Sequence, residues 1–341
     1  MHYLITGHTG FKGAWLALML RAEGHTVSGI ALDPQPGALF ETARISELMA
    51  NDIRLDIREA TGVREAINRL SPDVVYHLAA QPLVAESYLD PRTTIETNVI
   101  GTLNVLEAVG GTASVSAHIV ITTDKVYRNV NRAEGYGETD ALGAADPYSS
   151  SKAMADILVQ SWVKSFPSVA TAIARGGNVI GGGDNAEKRL VPDLVGAFER
   201  GEVASLRLPG AVRPWQHVLD CLDGYRAIER ALLKGSGAGE WNIGPGRESF
   251  VTVADFADEA AALWGDGAKW RTSGATHAPE ANLLALDPMK VAVQLGWSSK
   301  LLYPESLRWT VDWYKTVSDG ADPRSVTENQ IDRYHRLGEQ D

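Results

Sequence analysis

The sequence predicts an α/β fold in which a doubly wound parallel sheet is followed by a smaller lobe of mixed helices and strands. Short apolar runs rich in β-branched residues alternate with longer amphipathic segments throughout the first half. These apolar runs are continuous, which is typical of parallel strands whose two faces are both covered. A glycine-rich loop lies between the first run and the first amphipathic segment, as in Rossmann-type folds.

The strands and helices expected in the first half follow one another regularly. The strands are expected at Tyr3–Thr6, Thr26–Leu32, Asp52–Leu55, Val74–Leu78, Ile119–Thr123 and Thr171–Ala174. The helices are expected at Phe11–Ala22, Thr61–Leu70, Thr93–Ala108 and Tyr148–Phe166. Because parallel sheets bind their ligands at the carboxyl ends of the strands, functional residues are expected just after each strand.

The regular alternation of strands and helices ends after about Gly176, where glycine-rich turns separate shorter elements of mixed type. We therefore expect residues 1–176 to form the sheet domain and residues 177–341 to form mainly a second lobe, with some segments returning to the first domain. The polar tail from Asp319 onwards is expected to be only partly ordered. The helices of this half are expected at Leu190–Glu199, Leu219–Leu233, Thr252–Leu263, Pro288–Leu295 and Pro304–Val317.

The composition excludes several classes of protein. Of the 341 residues, 44% are hydrophobic and 22% are charged, which excludes a disordered chain. The 32 basic and 43 acidic residues give a net charge of −11, and no lysine- and arginine-rich run offers nucleic acid a binding surface. The longest apolar stretch, Ala14–Leu20, is too short to span a bilayer.

The start of the chain and its cysteine content favour a cytoplasmic location. A strand-like Tyr3–Thr6 opens the chain, so no signal peptide is expected. The single cysteine, Cys221, excludes an internal disulfide and a zinc site built from cysteines, and we expect no metal. The sequence therefore predicts a soluble cytoplasmic protein without nucleic-acid or membrane partners.

The loop from Gly7 to Gly13 opens the first helix. Its glycines allow a tight turn and a close approach to a diphosphate, and the helix N-terminus offers N–H groups. Asp33 ends the second strand twenty residues later, where a carboxylate accepts hydrogen bonds from a ribose and repels a 2′-phosphate, so NAD is favoured over NADP. Taken alone, each feature could be an ordinary turn. The expected cofactor contacts in the loop are Gly7, Thr9, Gly10, Phe11, Lys12 and Gly13.

Further cofactor contacts are expected after the third, fourth and fifth strands. A side chain after the third strand could reach an adenine edge, and small residues after the fourth would let the backbone lie close to a cofactor. His77, at the end of the fourth strand, could equally be a core histidine. These contacts are Asp56, Ile57, Leu78, Ala79, Ala80, Gln81 and Thr122.

A tyrosine and a lysine four residues apart open another predicted helix. On a helix, Tyr148 and Lys152 share one face. A lysine ammonium near a phenol favours the phenolate and lowers its pKa, which suits a group that accepts a proton from an alcohol. The same lysine could hold a cofactor ribose. The preceding strand ends in Thr123, Asp124 and Lys125, which places hydroxyl, carboxyl and amine groups beside the pair.

Seven strings of residues carry a family resemblance: Gly7–Gly13, 79–84, 123–125, Asp146–Lys152, 177–184, 213–218 and 241–245. Together they resemble the extended short-chain dehydrogenase/reductase family, and within it the CDP-glucose 4,6-dehydratases. The resemblance covers nearly the whole chain, from about residue 3 to the segment that closes near residue 334.

The resemblance implies an NAD-dependent hydro-lyase. Such an enzyme oxidises the sugar C4 hydroxyl, eliminates water across C5 and C6, and returns the hydride to C6, so CDP-glucose becomes CDP-4-keto-6-deoxyglucose. Tyr148 is then implied to accept the C4 hydroxyl proton, with Thr123 hydrogen-bonded to the same oxygen and Lys152 supporting the phenolate. Lys125 is implied as the base at C5 and Asp124 as the acid at C6, which requires a neutral amine and a protonated carboxyl.

The resemblance also implies a nucleotide-sugar site in the second lobe. A diphosphate needs cationic and amide donors, so Asn178 and Arg213 are its implied contacts, and Arg207 lies beside the nucleoside. Ala85 and Pro279 depart from the family pattern, which leaves the choice of nucleotide and sugar open. The full set of expected substrate contacts is Gln81, Asn178, Arg189, Val191, Arg207, Arg213 and Glu280.

Other functions remain open at this stage. One is a dehydratase or 4-epimerase acting on another NDP-hexose, and another is a redox-sensing NAD-binding protein without catalysis. Asp124 and Lys125 argue against the epimerase, and the retained tyrosine–lysine pair argues against the sensor. Because the family commonly dimerises through a four-helix bundle, a homodimer built on the helices Thr93–Ala108 and Tyr148–Phe166 is expected.

Overall fold

The computed structural model describes residues 1–132, 134–186, 188–273 and 283–338. Its strands are β1 (His2–Thr6), β2 (Thr26–Ala31), β3 (Asn51–Arg54), β4 (Val74–His77), β5 (Ala117–Thr123), β6 (Ala170–Gly176), β7 (Asn178–Ile180), β8 (Val203–Leu206), β9 (Val212–His217), β10 (Gly239–Ile243), β11 (Phe250–Thr252) and β12 (Lys269–Thr272).

The helices flank these strands, and a single π-helical turn, Glu96–Ile100, joins the fifth helix to the sixth. They are α1 (Phe11–Ala22), α2 (Leu39–Thr42), α3 (Ala60–Leu70), α4 (Val84–Leu89), α5 (Pro91–Ile95), α6 (Gly101–Gly110), α7 (Pro147–Ser165), α8 (Leu190–Glu199), α9 (Val218–Leu233), α10 (Val253–Trp264), α11 (Met289–Leu295), α12 (Glu305–Ser318) and α13 (Pro323–Leu337).

The main sheet has seven parallel strands in the order β10-β6-β5-β4-β1-β2-β3. Helices α1 and α9 cover one face, whereas α3, α6 and α7 cover the other. The direction of strand progression reverses between β1 and β4, which is where doubly wound sheets bind dinucleotides. The predicted Rossmann-type fold is therefore confirmed.

Most of the expected elements agree with the observed ones to within two residues. The helix expected at Thr93–Ala108 is instead α5, the π-helical turn and α6 in succession. The seventh strand of the sheet, β10, comes from the second half of the chain, beyond the boundary that was expected near residue 176.

The second lobe contains two small sheets, β11-β9-β7 and β12-β8, among the described residues. Trp215 of β9 packs on Phe256 of α10 with ring centroids 4.1 Å apart, and both belong to an apolar cluster that α8 and α12 complete. This cluster is separate from the cores of the main sheet, so the lobe has its own hydrophobic support.

The expectation of a partly ordered tail is wrong for its described part, residues 319–338, which contains the fifteen-residue helix α13. Ile331 and Tyr334 are buried in the core that contains α1. Tyr334 also donates a 2.7 Å hydrogen bond to Asp220. A few apolar residues at helical spacing anchor the helix, although the surrounding sequence is polar. Within the described segments, no helix has the length and apolar character that crossing a bilayer requires.

Candidate active site

The glycine-rich loop is a bare-backbone cradle at the carboxyl end of β1. A Cβ atom on Gly7 would lie 2.7 Å from the Ala79 nitrogen, and one on Gly13 would lie 2.2 Å from the Gly7 oxygen. Gly10 precedes α1 in an extended conformation, and no side chain caps the first turn of the helix. Thr9 ties the loop to β2 through a 3.1 Å hydrogen bond from its hydroxyl to the Leu32 oxygen. These features fit a dinucleotide diphosphate.

The loop after β4 lies directly against this cradle. The Leu78 nitrogen donates to the Thr6 oxygen at 3.0 Å, and the Ala79 nitrogen donates to the Thr6 hydroxyl at 3.3 Å. His77 is a core histidine, since its ring nitrogens lie 2.7 Å from the Thr6 hydroxyl and 3.0 Å from the Thr102 hydroxyl. The loops after β1 and β4 thus form the two sides of one cleft.

The side chains of Asp56 and Ile57, both predicted to lie near the adenine, contact other residues of the protein. The Asp56 carboxylate accepts three hydrogen bonds from Arg58, at 2.6–2.9 Å, and these bonds lower its pKa. The Ile57 side chain is buried, and a Cβ on Gly101 would lie 2.5 Å from it. Ile57 could therefore contact a cofactor only through its backbone atoms, and that contact stays a prediction.

Gln81 and Thr122 are also engaged by the protein. The Gln81 amide nitrogen donates to the Thr94 hydroxyl at 2.9 Å, and the Gln81 backbone nitrogen donates to Asn98 at 2.8 Å. The Thr122 hydroxyl donates to Asp156 at 3.0 Å. The side chains of both residues therefore hold the framework of the cleft, and their ligand contacts stay predictions.

Four predicted catalytic groups meet where β5 ends. The buried Thr123 hydroxyl donates to Asp124 at 2.8 Å, and it also shares a hydrogen bond with the Tyr148 phenol. A short 3₁₀ turn, Asp124–Val126, follows at once and carries Lys125. Burial raises the pKa of Asp124, although the charge of Lys125 and the Thr123 hydrogen bond oppose the rise. The carboxyl is thus biased towards the protonated form expected of an acid.

The start of α7 fixes the tyrosine and the lysine. Asp146 caps the helix by accepting a 2.9 Å hydrogen bond from the Ser149 nitrogen, and Pro147 occupies the first turn. Tyr148 and Lys152 are consequently both buried on the face that packs on the sheet. The Lys152 ammonium donates to the Ile121 oxygen at 2.8 Å.

The pKa of Tyr148 differs from the expectation. Burial, followed by the negative charge of Asp124, raises its pKa to about 12, although Arg189 and Thr123 oppose the rise. The expected lowering of the Tyr148 pKa by Lys152 is not seen, because burial is the largest influence and raises it. Burial and the charge of Lys12 lower the pKa of Lys152 itself to about 8. The phenol is therefore neutral at physiological pH in this structure.

Two side chains, those of Lys12 and Asp156, have contacts that the sequence reasoning did not predict. Lys12 was assigned to the diphosphate loop, but its ammonium donates to the Tyr225 hydroxyl at 3.2 Å and lies close enough to Lys152 to affect its pKa. Asp156, one helical turn after Lys152, forms a fully buried ion pair with Arg175 at 2.7 Å. The helical spacing from Lys152 was the available signal for Asp156.

The second lobe brings several cations to the same cleft. Arg213 of β9 lies near enough to Asp124 to lower its pKa, and Arg189, just before α8, has the same effect on Tyr148. Arg189 is steadied by a 3.0 Å hydrogen bond to Asp184. Asn178 is partly buried at the start of β7. The cleft thus has the donors that a diphosphate requires.

The structure does not bring the other residues expected to bind substrate together with these cations. Val191 is buried in the apolar cluster of the second lobe, so its side chain serves packing. Arg207 is exposed, and its guanidinium donates to the Lys188 oxygen at 3.0 Å. Glu280 lies outside the described residues. Among the residues that are described, no cluster of three acidic, histidine or cysteine side chains could hold a metal ion.

Comparisons with known proteins agree with this geometry. The model of the NAD dependent epimerase/dehydratase family matches residues 3–244. The chain is 41% identical to a CDP-glucose 4,6-dehydratase of Salmonella typhimurium, over 97% of this chain and 95% of that protein. It is also 32% identical to a dTDP-glucose 4,6-dehydratase of Mycolicibacterium smegmatis, over 92% of this chain and 93% of that protein.

Solved structures show the same fold. The dTDP-glucose 4,6-dehydratase DesIV of Streptomyces venezuelae, with NAD and TYD bound, is similar with a TM-score of 0.79 at 23% identity, covering 95% of this chain and all of that one. The UDP-glucose 4-epimerase of Thermus thermophilus, in complex with NAD, is similar with a TM-score of 0.78 at 27% identity, covering 92% of this chain and 99% of that one. Sequence, fold and cleft agree that the chain belongs to the NAD dependent epimerase/dehydratase family.

Proposed function

We propose that this protein is an NAD-dependent nucleotide-sugar 4,6-dehydratase that converts CDP-glucose to CDP-4-keto-6-deoxyglucose. The observation that carries the proposal is the Asp124–Lys125 turn beside Thr123 and Tyr148, which adds an acid and an amine to an alcohol-oxidising pair. The 41% identity to a CDP-glucose 4,6-dehydratase supports the same activity and the same nucleotide.

The oxidation at C4 uses three residues of the cleft together with the cofactor. NAD, when bound in the glycine cradle, supplies the hydride acceptor for C4 and the hydride returned at C6. Tyr148 accepts the proton of the C4 hydroxyl, and Thr123 is hydrogen-bonded to the same oxygen. Lys152 supplies the positive charge that the phenolate needs, since burial and Asp124 oppose its formation.

The elimination uses the neighbouring pair. A ketone at C4 acidifies the C5 hydrogen, and the amine of Lys125 removes it as a proton. Asp124 gives its proton to the C6 hydroxyl, which leaves as water. After the step, Lys125 carries one extra proton and Asp124 lacks one. When C6 is reduced, Lys125 returns its proton to C5, and the proton that Tyr148 took from the C4 hydroxyl passes to Asp124, so all three side chains end the cycle as they began it.

Substrate is held by the cations of the second lobe. Arg213 and Arg189 both act electrostatically on catalytic side chains, so an anionic diphosphate between them would lie beside the acid and the phenol. We assign Asn178 to the same group and Arg207 to the nucleoside. Local cations attract the substrate even though the whole chain carries a net charge of −11.

A substrate panel tests the proposal. Purified protein is incubated separately with CDP-glucose, UDP-glucose, dTDP-glucose and GDP-mannose, and the alkali-induced absorbance of a 4-keto-6-deoxy product is measured. We expect product from CDP-glucose and none in the Tyr148→Phe variant, which should fail to oxidise C4. Product from none of the four sugars would refute a dehydratase, and product from only another sugar would refute the nucleotide assignment.

The panel also detects the second candidate. A 27% identical structure is a UDP-glucose 4-epimerase, so C4 inversion without loss of water is the competing outcome. Chromatography of the sugars released from the nucleotides would reveal it. The acid–base pair in the Asp124–Val126 turn favours the dehydratase, because inversion at C4 alone does not need it.

We further propose a cytoplasmic homodimer in which residues 1–176 form most of the NAD domain. Apolar side chains are exposed on α5, the π-helical turn and α7, which pack together: Ile95 is 39% exposed, Ile100 45%, Met154 39% and Ile157 53%. A second copy covering them would bury a continuous apolar strip.

A further inference from the structure

An arginine stands at the ribose end of the proposed cofactor cleft without a role in any motif. Arg54 ends β3 and is in register with Ala31 of β2, two residues before Asp33. Its Nε atom lies 3.4 Å from a carboxylate oxygen of Asp33. The side chain expected to select the cofactor ribose is therefore paired with a cation from the next strand.

The guanidinium is fixed rather than free to move. Its Nη2 atom donates to Asp52 at 2.8 Å, and its centre lies 5.2 Å from the Phe40 ring. Asp52 is in turn held by the fully buried ring of His8 at 2.7 Å. That ring lies so close to β2 that a Cβ on Gly29 would be 2.2 Å from it, so only a glycine fits there.

The charges of Asp33, Asp52 and Arg54, which together form this corner of the cleft, bear on whether NAD or NADP can bind. Asp33 and Asp52 carry two negative charges, against one positive charge on Arg54. A guanidinium fork matches phosphate oxygens well, and arginine is the common ligand of the NADP 2′-phosphate. Asp33 is 89% exposed and Arg54 only 33%, so an anion arriving from solvent meets the carboxylate first.

We propose that Arg54 is a preorganised but masked ligand for a 2′-phosphate, and that Asp33 confines the site to NAD by pairing with it. The inference deepens the proposed function and rests on its cofactor site. Loss of the Asp33 charge leaves a neutral corner in which Arg54 faces the nucleotide. A single substitution just after β2 should then let NADP(H) bind.

Competition between the two nucleotides tests the proposal. Each purified variant is incubated with an equimolar mixture of NADH and NADPH and desalted, and the bound nucleotides are released and quantified by chromatography. We expect wild type to retain NADH. Asp33→Asn should raise the bound NADPH:NADH ratio by about tenfold or more. Adding Arg54→Gln to Asp33→Asn should remove that gain.

The matched control is Glu202→Gln, which removes one negative charge from an exposed ion pair with Arg200 in the second lobe. Its nucleotide ratio should equal that of wild type. An unchanged ratio in Asp33→Asn, or a gain that survives in the double variant, would overturn the role of Arg54. If wild type retained neither nucleotide, the proposed cofactor site itself would fail.

Discussion

At the residue scale, the central fact is that Tyr148 cannot act as a base by itself. Burial raises its pKa to about 12, so the phenolate is scarce near neutral pH. Lys152 must be protonated to favour it, yet burial and Lys12 lower the pKa of Lys152 to about 8. We therefore expect the proposed oxidation at C4 to depend on Lys152 keeping its proton.

Lys12 should set the upper pH limit of this step. Its positive charge favours the neutral form of Lys152, so removing the charge in Lys12→Met should keep Lys152 protonated to higher pH. We expect the alkaline limb of the kcat–pH profile to move up by roughly half a pH unit or more. Lys12→Arg, which keeps the charge, is the control. A limb at the wild-type pH in Lys12→Met would contradict the assignment.

Lys125 should affect a later step. In Lys125→Met, the C4 hydroxyl can still be oxidised, because Tyr148 and Thr123 are unchanged. Removal of the C5 proton should slow by about a hundredfold or more. Single-turnover absorbance of the reduced nicotinamide reports the first step, and deuterium entry at C5 from heavy water reports the second. Lys164→Met, at the exposed end of α7, is the matched control. Deuterium entry at the wild-type rate would refute Lys125 as the base.

At the element scale, the glycine segment after β7 joins the two lobes. The Trp15 indole of α1 donates to the Gly182 oxygen at 2.9 Å. A Cβ on Gly182 would lie 2.0 Å from the Trp313 ring of α12. The backbone of this turn is therefore clamped between a helix of the main sheet and a helix of the second lobe.

Gly182→Ala should consequently destabilise the protein. Trp313 is buried and cannot move aside freely, so overpacking should cost about 1–3 kcal/mol in the free energy of unfolding. Gly210→Ala is the matched control, because nothing lies within 4 Å of a Cβ added there. Urea titration of both variants measures the difference. Equal unfolding midpoints in the two variants would show that the turn has room to relax.

The fold could be predicted from the sequence wherever neighbouring residues determine the secondary structure that they form. The apolar runs of β1, β2, β4, β5 and β6 and the glycine loop before α1 are such patterns. The return of β10 to the main sheet was not visible, because strand pairing joins residues far apart in the chain. Helix α13 was missed since only three of its residues are buried within a polar sequence.

In the candidate site too, features set by neighbouring residues could be predicted, whereas features set by residues far apart in the chain could not. Thr123, Asp124, Tyr148 and Lys152 could be found because their spacing places them on one turn and one helix face. Arg54 could not be found, because its meaning depends on the register between β2 and β3. The pKa of Tyr148 also required the structure, since burial outweighs the neighbouring charges and the sequence does not report burial.

At the scale of the whole molecule, helix α7 both packs on the main sheet and exposes apolar side chains. One face of α7 buries Lys152 and Asp156 against the sheet, whereas Met154 and Ile157 are exposed on another face. An apolar side chain that is 53% exposed in the middle of a nineteen-residue helix gains little from water contact. Pairing with a second copy would cover it and stiffen the helix that carries the catalytic pair.

Ile157→Asp tests this arrangement, because a carboxylate buried at a self-paired helix face lacks a compensating partner. We expect light scattering to give twice the chain mass for wild type and the chain mass for Ile157→Asp at micromolar concentration. Val293→Asp, at a 75% exposed position on α11, is the matched control and should stay dimeric. A monomeric wild type, or a dimer that tolerates Ile157→Asp unchanged, would place the interface elsewhere or remove it. Activity measured beside the mass would then show whether catalysis needs the second copy, since α7 carries Tyr148 and Lys152 in each subunit.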